Sequence, residues 1–130
     1  ENVWNHFLLS PLEAARYVDS FESEAVGWYL DPGNLVRNAW PWQWVEVLGS
    51  RILKLDVKAY SRAKRDGEGL WAGFSVEIGD EQDDTDWPRV LAALERVGYA
   101  GGWASAEVAG GDRERLAEVL ARMDGILGAR

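Results

Sequence analysis

Apolar and polar positions follow two rhythms along the chain. Leu12, Ala15 and Val18, with Tyr17 and Phe21, recur at three- and four-residue spacings, the stripe of an amphipathic helix. Its start is marked by Ser10-Pro11-Leu12-Glu13. Serine caps, proline is pre-set for the first helical position, and Glu13 completes a capping box. The unbroken apolar run Ala25 to Leu30 ends at Asp31-Pro32-Gly33-Asn34, which predicts a buried strand followed by a turn. Pro41 opens a second helix through Trp42, Trp44, Val45 and Leu48, with Gly49 as its stop. Arg51 to Val57 reads as a second strand with Ile52, Leu53 and Leu55 apolar. Ser61 to Gly73 reads as a polar, glycine-containing loop, and Phe74 to Ile78 as a short extended piece. Asp86 caps a helix bearing Val90, Leu91, Leu94 and Val97, ended by Gly98. Gly102 to Val108 is a third strand, and Asp112 caps a last helix with Leu116, Val119, Leu120, Met123 and Leu127.

Helices alternating with strands imply a parallel sheet with helical crossovers. The 130 residues suffice for one domain, expected to span 1–130. A net charge of -8 without a concentrated basic patch argues against nucleic acid as a partner. No stretch approaches the ~20 apolar residues that span a bilayer, so no membrane partner is expected. There is no cysteine, which removes disulfides, thiolate metal sites and cysteine nucleophiles. That leaves the compartment open, and a cytoplasmic enzyme fits. The eight tryptophans are expected mostly in the core, with some lining a pocket or an interface. The single histidine, His6, reads as a surface or hydrogen-bonded residue rather than a ligand. The acidic run Asp80 to Asp86 lacks the spacing and glycine of a calcium loop and reads as a solvated segment before a helix.

The strands share a feature that composition does not require. Each carries a carboxylate at its C-terminal end: Asp31, Asp56 and Glu107, with Glu1 a fourth if a strand precedes it. Any one of these acids could be a helix cap or a solvated loop residue. Parallel α/β folds, however, place ligands at that end of their strands, and converging carboxylates repel one another unless a cation neutralises them. Hard oxygen donors suit Mg or Mn, and also Ca.

Five segments carry a family resemblance: ENVWN with FLLSPLE at the start, YLDPGN at 29–34, LGSRILKLDVK at 48–58, DW at 86–87 and AEV at 106–108. In order and spacing they resemble the sugar phosphate isomerases and epimerases of the xylose isomerase-like TIM-barrel superfamily, near the ketose-phosphate 3-epimerases. The resemblance implies the C-terminal half of a (β/α)8 barrel: the helix after strand five, then strands six to eight with their helices. It implies a divalent metal, Mn or Mg, held by Glu1, Asp31, Asp56 and Glu107. Where the family shows His-Leu-Lys-Asp, this chain has Asp56-Val57-Lys58-Ala59, so an aspartate stands in the histidine position. The implied reaction is proton transfer beside the carbonyl of a ketose or sugar phosphate. Glu1 and Glu107 act on opposite faces, and a metal stabilises the enediolate. Asn34, Lys58 and Trp4 are the implied substrate contacts.

A complete barrel of this kind needs ~250 residues. A half-length chain beginning Glu-Asn-Val-Trp is therefore expected to be a fragment missing its N-terminal half-barrel, or to self-associate. A frayed Glu1 is expected. Two other functions stay open: a non-catalytic fragment or interaction module that keeps the fold, and an inosose dehydratase-like lyase. An endonuclease reading is disfavoured, since that chemistry wants a histidine-rich three-metal site and a basic face, and this chain has one histidine.

Overall fold

In the computed structural model the described residues are 1–3, 5 and 7–128. Trp4 and His6 therefore lie outside the described residues. Helix α1 spans Pro11–Asp19, and its capping box is formed: Ser10 accepts from the Glu13 amide and Glu13 reaches back to the Ser10 amide. Strand β1 (Trp28–Leu30), helices α2 (Pro32–Val36) and α3 (Pro41–Leu48), and strand β2 (Ile52–Val57) follow. Next come α4 (Arg62–Glu68), a 3-10 turn at Leu70–Phe74, α5 (Trp87–Arg96), β3 (Trp103–Ala106) and α6 (Arg113–Leu127). The three strands pair in parallel in the order β1-β2-β3. The chain is thus mixed α/β, a small parallel sheet with helices, consistent with part of a TIM barrel. Among the described residues no helix is long and apolar enough to cross a membrane.

The helices form one layer, α1 beside α3, α3 beside α5 and α5 beside α6. Between that layer and the sheet lies the core, built on Leu30, Leu55, Val57, Trp28, Trp44, Leu48, Val90 and Leu94. Among the described residues no helix covers the other face of the sheet. There Tyr29, Lys54 and Trp103 share one register row, Lys54 Nζ sits 4.3 Å from the Tyr29 ring centre, and Trp103 is 81% exposed. In a closed barrel this face would be the interior. Register shifts between Trp28 and Tyr29, so that Leu53 is skipped. Gly27 is needed opposite it, because a Cβ there would run into the Leu53 side chain.

Several expectations need correction. β1 begins only at Trp28, with Ala25 and Val26 exposed. The expected turn at Asp31 to Asn34 is the start of a short helix. Ser61 to Gly73 is not a loop: Ser61 caps α4, which buries nothing and so carries no apolar rhythm. Arg62 and Arg65 tie it instead to the carbonyls of Val36, Ala39 and Arg37. Phe74 ends the 3-10 turn, and residues 75–78 form no strand. Of the seven tryptophans among the described residues only Trp28, Trp44 and Trp87 are buried. The predicted stripe of α1 holds at Val18 and Ala15 but not at Leu12, Tyr17 and Phe21. Ala14 and Val18 face the core, while Leu12 stays 61% exposed, and α6 buries none of its residues fully. Both terminal helices thus present apolar surface outward.

Candidate metal centre

Parallel strands end at one rim, and the carboxylates at those ends converge. Glu1, Asp31, Asp56 and Glu107 each offer an oxygen within 4.8 Å of the others. Asp31 and Asp56 are buried; Glu1 and Glu107 are exposed. Glu107 follows β3 directly, and its amide donates to the Val57 carbonyl at 2.9 Å, so the ladder carries it to the rim. Asp31 serves two ends at once. Its Oδ1 caps α2 by accepting from the Asn34 amide at 2.9 Å, and its Oδ2 faces Lys58 Nζ at 3.1 Å.

Glu1 is placed by its neighbour, which the sequence reading did not single out. Asn2 is buried, and its side chain acts as a strand partner for β1. Nδ2 donates to the Asp31 carbonyl at 2.7 Å, and Oδ1 accepts from the Asp31 amide at 3.0 Å and from the Trp28 indole at 3.1 Å. The Asn34 side chain completes the clasp by donating to the Asn2 carbonyl at 3.2 Å. Asn34 is thereby tied to Asn2 through its nitrogen, while its Oδ1 is buried without a hydrogen-bond partner. These bonds fix Asn2, which places Glu1 at the rim.

The charges in this ring work against one another. Burial pushes the Asp31 carboxyl up to about 7, with the Lys58 ammonium and the Asn34 amide opposing the rise. Burial also raises Asp56; a hydrogen bond from Tyr29 opposes this, and Glu107 adds to it. Glu1 is raised by burial and by Asp56. Lys58 is drawn down by burial, but Asp31 and Glu107 outweigh that and hold its ammonium above the usual value. Lys58 Nζ pairs with Glu107 as well as with Asp31. Its backbone lies tight against α2, where only glycine fits. A Cβ on Gly33 would stand 2.5 Å from Lys58 Cγ and 2.6 Å from its carbonyl oxygen. The donor set fits a hard divalent cation: carboxylates alone, partly desolvated and mutually repelling.

Beside the ring opens a cavity of about 610 Å³, lined by Asn34, Lys58, Trp71, Phe74, Glu77 and Arg115 among others. Glu107 borders it, linking the carboxylates to the space a ligand would fill. Trp71 comes from the segment read as a polar loop and Phe74 from the piece read as extended, so this aromatic wall was missed. Their only signal was two aromatic residues in a glycine-rich stretch. Arg115 is held by Glu77 through two contacts of 2.8 and 3.0 Å. The acidic run has a structural role. Asp83 accepts from the Gly79 and Thr85 amides, the Thr85 hydroxyl and the Trp87 indole, and Asp86 caps α5.

The parallel strands and the helices behind them are those of part of a TIM barrel. The chain matches the xylose isomerase-like TIM barrel family over residues 1–125 and belongs to it. It is also similar to a 3-oxo-isoapionate decarboxylase from Pectobacterium atrosepticum, 37% identical over 59 residues, a stretch covering 45% of this chain and 20% of that relative. The chain thus corresponds to only part of the length of the curated protein it resembles.

Proposed function

We propose that this chain carries the metal-binding and proton-transfer side of a divalent-metal-dependent isomerase or epimerase of a ketose or sugar phosphate. The observation that carries this reading is the convergence of four carboxylates beside a cavity of about 610 Å³. Burial divides their work. Asp31 and Asp56, buried and fixed by the Asn34 amide and the Tyr29 hydroxyl, are suited to hold Mn or Mg with Glu1 and Glu107. When bound, the metal supplies positive charge to the substrate's carbonyl and hydroxyl oxygens. Glu1 and Glu107 are the exposed members and exchange the proton. One takes it from the carbon beside the carbonyl, and the other returns it. Asn34 and Lys58 border the cavity and contact the substrate's oxygens, and Trp71 offers an exposed ring for the apolar face of a sugar.

Decarboxylation is a second reading, favoured by the similarity to a decarboxylase. Both reactions need charge on a carbonyl oxygen to be neutralised, and they differ in whether a proton or carbon dioxide leaves the neighbouring carbon. The test is calorimetric titration of Mn²⁺ and Mg²⁺ into the chain and into Glu107→Gln. Binding weakened by about tenfold or more in the variant is expected, since a charged ligand is lost. Absence of binding to the unaltered chain at millimolar metal would remove the metal-dependent reading. Deuterium uptake from heavy water into a ketose, against carbon dioxide release from an oxo acid, separates the two reactions in a protein that turns over.

A further inference from the structure

Lys58 brings an ammonium into the acidic rim itself. Its side chain is only 12% exposed, and Nζ lies against two of the four carboxylates, Asp31 Oδ2 at 3.1 Å and Glu107 Oε2. The four offered oxygens all lie within 4.8 Å of one another. Magnesium requires oxygens at about 2.1 Å in a near-octahedral shell, so a metal drawing on Asp31 and Glu107 competes with the ammonium for their oxygens and is repelled by its charge. The group able to move is the lysine. Its backbone is clamped by α2 at Gly33, but the residue borders the cavity, with Nζ already 5.5 Å from the Phe74 ring centre.

We propose that Lys58 is a tethered counter-ion of the acidic rim, holding Asp31 and Glu107 together while no divalent cation is bound and released into the cavity when one binds. The inference rests on the metal reading above and adds to it a defined exchange. One ammonium leaves the carboxylates as one metal ion enters, and the freed ammonium then faces the substrate's space beside Phe74 and Trp71. A divalent cation therefore competes with a group on the protein itself. The exchange also couples metal binding to the appearance of a free cation in the cavity, where a developing negative charge on a substrate oxygen can use it.

The test compares the chain with Lys58→Met, which keeps the length and apolar stem but removes the charge. In chelator-treated buffer at pH 8 the variant should melt several degrees lower than the unaltered chain, because Asp31 and Glu107 lose their counter-charge. Saturating Mn²⁺ should restore it to the level of the unaltered chain. Calorimetry should show Mn²⁺ binding about tenfold or more tighter in the variant, since the competitor is gone. Equal or weaker Mn²⁺ binding in the variant would overturn the proposal. Where the variant does not fold, the side-chain carbon resonances of Lys58 are followed in the unaltered chain during Mg²⁺ titration. They must shift as the metal binds, and resonances unmoved at saturation overturn the exchange. If neither protein binds metal, the metal reading falls and the proposal with it; binding with equal affinity leaves that reading standing and removes only the role of Lys58.

Discussion

Replacing Asp31 by asparagine isolates the energetic strain of the acidic rim. The Asp31 carboxyl is fully buried, and its pKa is raised from 3.8 to about 7 mainly by that burial. A folded-state value above the unfolded one means the folded chain binds the proton more tightly. The stability from this group is therefore fully present below about pH 4 and is lost as pH rises through about 7. A rise of that size corresponds to about 4 kcal/mol at most. Asparagine caps a helix about as well as aspartate, so the bond to the Asn34 amide is kept. Lys58 loses one partner but retains Glu107. In chelated buffer at pH 8, Asp31→Asn should thus be more stable than the unaltered chain by about 1–3 kcal/mol, and near pH 4 by close to nothing. Urea unfolding at pH 4.5, 6 and 8 measures the difference, and subtracting the two chains removes the titration of every other group. A difference that does not grow with pH, or a variant less stable at pH 8, would refute the reasoning. The same variant should gain little from Mn²⁺, whereas the unaltered chain gains stability.

Two further substitutions examine how the rim is held. Asn2→Ala strips the Trp28 indole and the Asp31 amide and carbonyl of their partner, so a loss of about 2–4 kcal/mol is expected in urea unfolding, and a loss below 0.5 would show the clasp to be unimportant. Gly33→Ala brings a methyl group to 2.6 Å from the Lys58 carbonyl, so the backbone of β2's end must shift. It should lose about 1–3 kcal/mol in thermal melts and bind Mn²⁺ more weakly, and normal values for both would contradict the close packing.

Much of the architecture was legible because it is written in local chemistry. The Ser10 to Glu13 box, the Asp86 and Asp112 caps and the glycine stop at Gly49 act within a few residues, and all stand where the pattern puts them. The end of β1 was legible for the same reason, since an apolar run that stops at Asp31 marks its own boundary. What escaped is non-local. Helix α4 has no buried face to leave a rhythm, and its anchors are carbonyls 23 to 28 residues away, reached by Arg62 and Arg65. The exposure of Leu12 and Leu120 was equally hidden. An amphipathic stripe tells that a face is apolar, not what covers it.

The carboxylates themselves divide along this line. That Asp31, Asp56 and Glu107 end successive strands is a property of the sequence, because a parallel alternation puts all strand ends at one rim. That their oxygens, with Glu1, come within 4.8 Å of each other is a property of the tertiary structure. It depends on the register of β1, β2 and β3, on Asn2 acting as a strand edge across 29 residues, and on Gly33 letting Lys58 approach. The ammonium inside the ring likewise belongs to the tertiary structure alone. A lysine two residues after an aspartate reads as a surface charge, and only the packing of β2 against α2 and β3 turns it inward to the acids.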